Sequence, residues 1–276
     1  MAVEQRKGSG LLGWNDSINA RRKPWLNSLD DRYIHQYFMN TPLVVQNDGT
    51  VGSVTTAETN LWQCGDYIFE SYNIGTQGAA APAITSAGLN IATCANDNTI
   101  GLELNPGITD SSKGYFVVGS SVAAFFRLKF KITTVASVSA CFMGFRKQAA
   151  NNATYTNYAD YAILGLLDNS GDIKTRTAVG GTDASAVDTT LNWADGETYT
   201  LVIQVSKGGL VTYSVDGMEG TAIVNASSPY VFTDALELLP FFQVIRNATS
   251  PTSAIELIEW ESGVNYTLFN SGTGGV

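Results

Sequence analysis

Residues 193–217 read WADGETYTLVIQVSKGGLVTYSVDG, and this stretch decides the fold. Apolar and polar side chains alternate in two short runs, which is the period-2 pattern of strands with one buried face. The Lys-Gly-Gly between the runs is typical of a tight turn, so the runs are predicted to form an antiparallel hairpin. The alternate side chains, such as Thr200 and Gln204, are predicted to face away from the core. The side chains predicted to face the core are Leu201, Ile203, Val205, Val211, Tyr213 and Val215.

The same alternation recurs through most of the chain. Residues 121–132 alternate an apolar set with a basic set. The apolar set is Phe126, Leu128, Phe130 and Ile132, and the basic set is Arg127, Lys129 and Lys131. About a dozen strands with polar loops and few helices indicate an all-β, two-sheet antiparallel sandwich. Further strands are predicted over 61–72, 137–147, 161–167, 173–179, 241–246 and 255–261, and the last two are predicted to pair with each other.

The chain is long enough for one large sandwich with appendages. It has 276 residues, of which 44% are hydrophobic and 15% charged, so a sizeable core is expected. We divide it into an extended N-terminal arm (1–42), a β-sandwich (43–266) and a Gly-rich C-terminal tail (267–276).

The charge distribution argues against nucleic acid as a partner. The formal net charge is −9 and the sequence pI about 4.6, whereas nucleic-acid binding requires Lys and Arg to neutralise phosphates. Residues 1–35 differ from the rest, since they hold six basic and four acidic side chains. No run approaches the roughly 20 apolar residues of a membrane span, and residues 1–7 contain no apolar signal region. No membrane partner is therefore expected.

The arm combines its basic charge with large aromatic side chains. A disordered tail rarely carries so many rings, so an arm that binds another protein chain explains them, with a solvated basic tail as the alternative. Ser28 as N-cap and Asp31 three residues later are compatible with a short helix over 28–39. The residues predicted to bind the partner are Trp14, Arg21, Arg22, Lys23, Trp25 and Tyr33.

Two segments resemble the concanavalin A-like, laminin G-type jelly-roll family. Residues 193–217 are similar to the family's paired strands W-x-x-G-x-x-Y-x-L and V-x-Y-x-V-D-G, and residues 255–261 to its closing strand. The resemblance covers residues 60–262 in pattern and 193–262 in detail. It implies a jelly roll whose closing strand returns beside the N-terminal part of the domain, and it says little about function.

A second resemblance is to structural proteins of tailed-phage virions. It rests on the acidic, Ser/Thr/Asn-rich composition, the arm, and the Gly-rich end at 271–275. It implies a non-enzymatic capsid decoration (cement) or head-tail accessory subunit of the virion, assembled in the host cytoplasm. Its partners would be the major capsid protein or other virion proteins, bound through the arm, and further copies in a homo-oligomer. The alternative is a carbohydrate-binding module of the same fold that recognises a host-surface glycan.

No catalytic site emerges from the carboxylates. A retaining glucanase needs two carboxyl groups about 5–5.5 Å apart, and glucanases of this fold supply them from one strand. Glu259 and Glu261 are predicted to share a strand face, but Glu256 is predicted to lie on the opposite face, which breaks the triad. Glu103, between two leucines, is predicted to be a surface residue. We therefore predict no enzymatic activity and no catalytic residue.

Metal and thiol chemistry is equally sparse. His35 is the only histidine, and Cys64, Cys94 and Cys141 form no Cys-x-x-Cys pair, so buried free thiols are predicted rather than a zinc site. The run 168–172 has the composition of a calcium loop and also of a hairpin tip, and the turn is favoured. No metal and no cofactor are predicted.

Overall fold

The computed structural model describes residues 34–39, 41, 43–47, 50–51, 59–65, 67–74, 83–91, 101–106, 116–120, 123–215, 218–219, 230–247 and 255–264. Strands dominate these residues, with short 3-10 turns at Val135–Ser137 and Tyr155–Asn157. The strands are β1 (Ile34–Tyr37), β2 (Leu43–Asn47), β3 (Thr50–Val51), β4 (Thr59–Cys64), β5 (Tyr67–Ile74), β6 (Ala83–Thr85), β7 (Gly88–Asn90), β8 (Gly101–Pro106), β9 (Phe116–Val117), β10 (Ala124–Ile132), β11 (Val138–Lys147), β12 (Tyr161–Leu166), β13 (Asp172–Val179), β14 (Thr182–Asp183), β15 (Val187–Asn192), β16 (Thr198–Val205), β17 (Val211–Val215), β18 (Met218–Glu219), β19 (Glu237–Arg246) and β20 (Ile255–Val264).

Two antiparallel sheets are built from the described strands. The eight-stranded sheet has the order β18-β17-β16-β10-β20-β7-β6, with β1 also paired to β20. The twelve-stranded sheet has the order β14-β13-β12-β11-β19-β8-β5-β4-β2-β3, with β15 on β13 and β9 on β19. The predicted all-β, two-sheet sandwich is confirmed.

The hairpin predicted from the opening stretch of sequence is formed by β16 and β17. Its register sets Ile203 opposite Tyr213. As predicted, Ile203 faces the core, where it is fully buried, whereas Gln204 is partly exposed. Strand β10 pairs with β16 and sends its apolar set into the core. Arg127 and Lys129 are consequently left on the outer face of the eight-stranded sheet.

Aromatic rings from several strands fill the space between the sheets. The ring of Phe126 lies 4.3 Å from that of Trp260, and Phe130 lies 4.5 Å from Trp193, measured between centroids. Each fully buried large apolar side chain stabilises the fold by about 1.5–3 kcal/mol. A smaller apolar cluster covers part of the outer face of the twelve-stranded sheet. It consists of Ala140, Phe142, Tyr158, Tyr161, Ile163, Ala178, Leu239 and Phe241.

Two strand predictions are wrong. The segments 241–246 and 255–261 do not pair, because β19 lies between β11 and β8 in one sheet and β20 lies beside β10 in the other. The apolar faces of β19 and β20 meet in the core. The single strand predicted over 61–72 is the hairpin of β4 and β5, joined at Gly65, where a φ of +59° favours glycine.

Strand β1 brings the end of the predicted arm into the sandwich. Residues 34–37, within the segment compatible with a helix, form this strand and pair with β20, and Phe38 is fully buried in the core. The closing strand thus returns beside an N-terminal strand, as the jelly-roll resemblance implies. Residues 1–33 and the tail lie outside the described residues, so the domain boundaries stay predictions. No described helix is long and apolar enough to cross a membrane.

Candidate functional site

Five side chains form an outer-face cluster on the eight-stranded sheet: His35, Tyr37, Arg127, Glu259 and Glu261. They come from three adjacent strands, β1, β20 and β10. The register sets His35 and Arg127 on either side of Glu261, and Tyr37 opposite Glu259. Residues directly opposite each other on paired strands point to the same face, so the backbone pairing brings these groups together.

Glu259 lies at the centre of the outer-face cluster. Its Oε1 is 2.7 Å from His35 Nε2, and its Oε2 is 2.8 Å from Arg127 Nη1. An ionised carboxylate only accepts hydrogen bonds, so His35 Nε2 carries the proton and donates it. The same Arg127 Nη1 lies 3.5 Å from Oε2 of Glu261. Arg127 therefore holds both carboxylates, while His35 fixes Glu259 from the other side.

These contacts set the charge of Glu259. Burial acts to raise the pKa of this carboxyl, but hydrogen bonds from His35 and Arg127 outweigh burial and bring the pKa down to about 2. A general acid needs a pKa close to the working pH. Glu259 is therefore suited to accept hydrogen bonds and unsuited to deliver a proton at neutral pH.

Tyr37 is the exposed aromatic side chain of the outer-face cluster. It is 51% exposed, and its ring stands edge-on to the His35 imidazole with centroids 4.5 Å apart. Its hydroxyl donates to Glu259, and partial burial together with that carboxylate's charge raises the pKa of Tyr37 to about 12. The ring is held at its polar tip and remains accessible, which suits contact with a partly apolar ligand.

A β-bulge changes the predicted position of Glu256. Lys129 pairs with Glu259 but Phe130 pairs with Leu257, so Ile258 has no partner on β10. The extra residue reverses the alternation, and Glu256 falls opposite Lys131 on the outer face. The prediction that Glu256 lies on the face opposite to Glu259 is therefore wrong.

The outer-face cluster also contains a donor set of the kind that binds metal ions. Ligand atoms of His35, Glu259 and Glu261 lie within 4.8 Å of one another, the one such group of three among the described residues. Arg127 contacts both carboxylates, however, and already supplies them with a positive charge. The geometry thus favours an ion-paired polar surface.

Glu103 is not the surface residue that the sequence predicted. It lies on the outer face of the twelve-stranded sheet and is fully buried. Its Oε1 accepts a hydrogen bond from Nε of Arg146 at 2.8 Å, and Nη2 of Arg146 lies 2.8 Å from the same oxygen. Its Oε2 accepts from the Tyr158 hydroxyl at 2.8 Å. Burial raises the pKa of Glu103, although Arg146 and Tyr158 act in the opposite direction. This buried pair therefore fixes Tyr158 against the outer face of the sheet. Tyr158 directly follows the 155–157 turn.

The loop at 168–172 is a hairpin tip between β12 and β13. Lys174 Nζ lies 2.5 Å from Asp168 Oδ2 and 3.5 Å from Asp172 Oδ2, so an ammonium group stands between the two carboxylates. Asp168 is slightly buried, which acts to raise its pKa, but hydrogen bonds from Lys174 and Ser170 lower the pKa overall. The predicted turn is what the structure shows.

The thiols follow the prediction as far as they are described. Cys64 and Cys141 are buried and free. Burial raises the pKa of Cys64 to about 12 and raises that of Cys141 as well, so both are protonated at neutral pH. Cys94 lies outside the described residues.

The partner-binding residues predicted in the arm all fall within 1–33 and so outside the described residues. The outer-face cluster was missed because His35 and Tyr37 were assigned to the arm. Two signals pointed to it: the alternation of Ile34, His35, Gln36 and Tyr37, and the basic set of β10 beside the acidic alternation of β20. Neither signal says which strands pair.

No protein-family model matches the chain, and no curated protein matches it. Solved structures match it in fold. The chain is similar to the carbohydrate recognition domain of Emp47p, with 10% identity, a TM-score of 0.50, and 86% of this chain and 96% of that chain covered. It is also similar to galectin LEC-6 of Caenorhabditis elegans, with 16% identity, a TM-score of 0.34, and coverage of 53% and 86%.

A third similar structure is alginate lyase PA1167 from Pseudomonas aeruginosa, with 11% identity, a TM-score of 0.39, and coverage of 72% and 83%. Identities this low show the fold alone. The chain has a concanavalin A-like jelly-roll fold, and the similar structures include a carbohydrate recognition domain, a galectin and an alginate lyase.

Proposed function

We propose that the protein is a non-enzymatic carbohydrate-binding domain, and that its sugar site is the outer-face cluster. The observation that carries this proposal is the exposed Tyr37 ring, fixed against His35 and hydrogen-bonded to Glu259. A sugar ring has a face of C–H groups and a rim of hydroxyls that both donate and accept. An aromatic ring beside preorganised charged groups meets both requirements.

The charged groups supply the polar half of this recognition. Arg127 Nη1 lies 2.8 Å from Glu259 and 3.5 Å from Glu261, and the Arg127 side chain is about one-third exposed. Its remaining N–H groups are donors for sugar hydroxyls, since a guanidinium carries five. Both carboxylates are held in place before a ligand arrives, so binding requires little reordering of side chains.

A non-enzymatic role fits the carboxylates. Retaining glycosidases need one carboxyl with a raised pKa as acid and a second as nucleophile. Glu259 has a lowered pKa and is tied to both His35 and Arg127. The likeness in fold to the Emp47p carbohydrate recognition domain is consistent with sugar binding.

Glycan-array screening followed by calorimetry of the best ligand tests the proposal. Tyr37→Ala is expected to weaken binding at least tenfold, while Tyr37→Phe keeps the ring and most of the affinity. Val179→Ala, which removes exposed apolar surface from the other sheet, serves as the matched control. A wild-type protein that binds no glycan, or a Tyr37→Ala variant that binds as wild type does, contradicts the proposal.

A second candidate function is that of a virion structural subunit anchored by its N-terminal arm. The feature that favours it is the density of aromatic and basic residues in 1–33, with Trp14, Trp25 and the basic run 21–23. Such a subunit would bind the major capsid protein or other virion proteins, and copies of itself, in particles assembled in the host cytoplasm. A sugar site on the sandwich is compatible with that location.

Deletion of residues 2–30 tests the arm, because it leaves β1 intact. The truncated chain is expected to fold, to sediment as a monomer and to be absent from purified particles. Deletion of the tail from residue 267 is the matched control. If the arm-deleted chain incorporates at normal occupancy, the arm is not the anchor.

A further inference from the structure

On the outer face of the eight-stranded sheet, the basic side chains are more exposed to solvent than the carboxylates. The basic row of β10 comprises Arg127, Lys129 and Lys131, and Arg127 and Lys131 expose 31% and 35% of their side chains. The facing carboxylates of β20 are much less exposed, at 7% for Glu259 and 6% for Glu261. A ligand approaching this face therefore meets positive charge first, on a protein whose net charge is −9.

The cations of the basic row have more N–H donors than their ion pairs with β20 use. Arg127 Nη1 lies 2.8 Å from Oε2 of Glu259 and 3.5 Å from Oε2 of Glu261, and Lys131 Nζ lies 3.7 Å from Oε2 of Glu256. Lys129 takes part in none of the ion pairs among the described residues. Donor capacity on this row thus remains for an external anion.

Tyr37 lies at the right distance to act together with this row. Tyr37 and Lys129 both stand opposite Glu259, on the two sides of β20. Two strand spacings, roughly 9–10 Å, separate their backbones. A sugar ring placed on Tyr37 therefore brings a charged substituent within reach of the long side chains of Lys129 and Arg127.

We propose that the glycan of this site is acidic: its carboxylate or sulfate group binds Arg127 and Lys129 while its ring packs on Tyr37. This inference rests on the proposed sugar-binding function and names the class of ligand. Hydrogen bonds between ionised partners are about twice as strong as neutral ones, and Arg binds planar or tetrahedral anions through two nitrogens. A neutral sugar offers Lys129 and Arg127 no ionised acceptor, so the site is expected to bind acidic glycans more tightly than neutral ones.

Matched ligand pairs test the charge requirement by calorimetry on the full chain. Oligogalacturonates are compared with their methyl esters, and sulfated galactan oligosaccharides with their desulfated forms. The wild type is expected to bind at least one acidic member about tenfold more tightly than its neutral counterpart. The two arms distinguish carboxylate from sulfate as the recognised group.

Variants assign that preference to residues. Lys129→Gln is expected to abolish the preference for acidic ligands and to retain weak binding through Tyr37. Arg127→Lys is expected to reduce this preference and to keep the ion pairs that stabilise Glu259. Lys147→Gln, an exposed lysine of β11, makes the same charge change elsewhere and is expected to have no effect.

The outcomes separate this inference from the proposed function. Equal binding of acidic and neutral members, with loss in Tyr37→Ala, overturns the acidic assignment and leaves sugar binding intact. An equal loss of the preference for acidic ligands in Lys129→Gln and Lys147→Gln also overturns the acidic assignment, because the effect then comes from the net charge of the protein. Failure to bind any member of the array or of the pairs contradicts the sugar-binding function itself.

Discussion

The imidazole Nε2 of His35 lies 2.7 Å from Oε1 of Glu259, although 224 residues separate them in the chain. Pairing of the first described strand with the closing strand creates this contact. It places the chain's only histidine beside two buried carboxylates and an exposed tyrosine, and it is the basis of the sugar site proposed above.

Acid should destabilise the protein through Glu259. The pKa of this carboxyl is lowered in the fold to about 2, so its contribution to stability is complete above the unfolded-state value near 4.5 and is lost as pH falls towards 2. The free energy of unfolding, measured with denaturant between pH 5 and 2, should fall in the wild type. Glu259→Gln should show a shallower fall over this window, and Glu237→Gln, an exposed carboxylate of β19, should retain the wild-type slope. Parallel curves for all three proteins contradict the assignment.

The opening hairpin gives a test of register. Ile203→Ala should lower the free energy of unfolding by about 2–5 kcal/mol, because it removes a fully buried side chain and leaves a cavity. Gln204→Ala, on the outer face, should change it by no more than about 0.5 kcal/mol. Equal effects in denaturant unfolding are incompatible with this core.

The buried pair of Glu103 and Arg146 should be costly to break from one side. Arg146→Met leaves a buried carboxylate without its partner and should cost about 3–5 kcal/mol. The double variant Arg146→Met, Glu103→Gln should cost less, because no unpaired charge remains. Arg176→Met removes one partner of a part-exposed pair on the same sheet and should cost about 1 kcal/mol or less. A double variant less stable than Arg146→Met refutes this account.

Stability should not depend on a divalent metal ion. Lys174 lies between Asp168 and Asp172, and Arg127 contacts Glu259 and Glu261. Each pair of carboxylates thus already has a cationic side chain of the protein beside it. The melting temperature should be the same in EDTA and in millimolar calcium or zinc. A drop in EDTA that calcium reverses would assign a calcium site to the 168–172 loop, and one that zinc reverses would assign a metal to His35.

The sequence by itself determined the strands and their buried faces. In β10 and β16, alternation of apolar and polar side chains is a local property, and a strand with one apolar face has only one way to bury it. The hairpin turn between β16 and β17 is also local, so the register of Ile203 and Tyr213 followed from the sequence. The two-sheet sandwich followed from the number of such strands.

Only the tertiary structure decided which strands meet and which polar groups become partners. The pairing of β1 with β20, and the assignment of β19 and β20 to different sheets, depend on contacts between distant segments. The bulge at Ile258 reversed the face of Glu256, and a buried Arg146 turned Glu103 from a predicted surface residue into half of an internal ion pair. Alternation determines which face of the sheet a side chain lies on, but it does not determine which strand lies next to it. A site assembled from three strands is therefore specified by the packed fold alone.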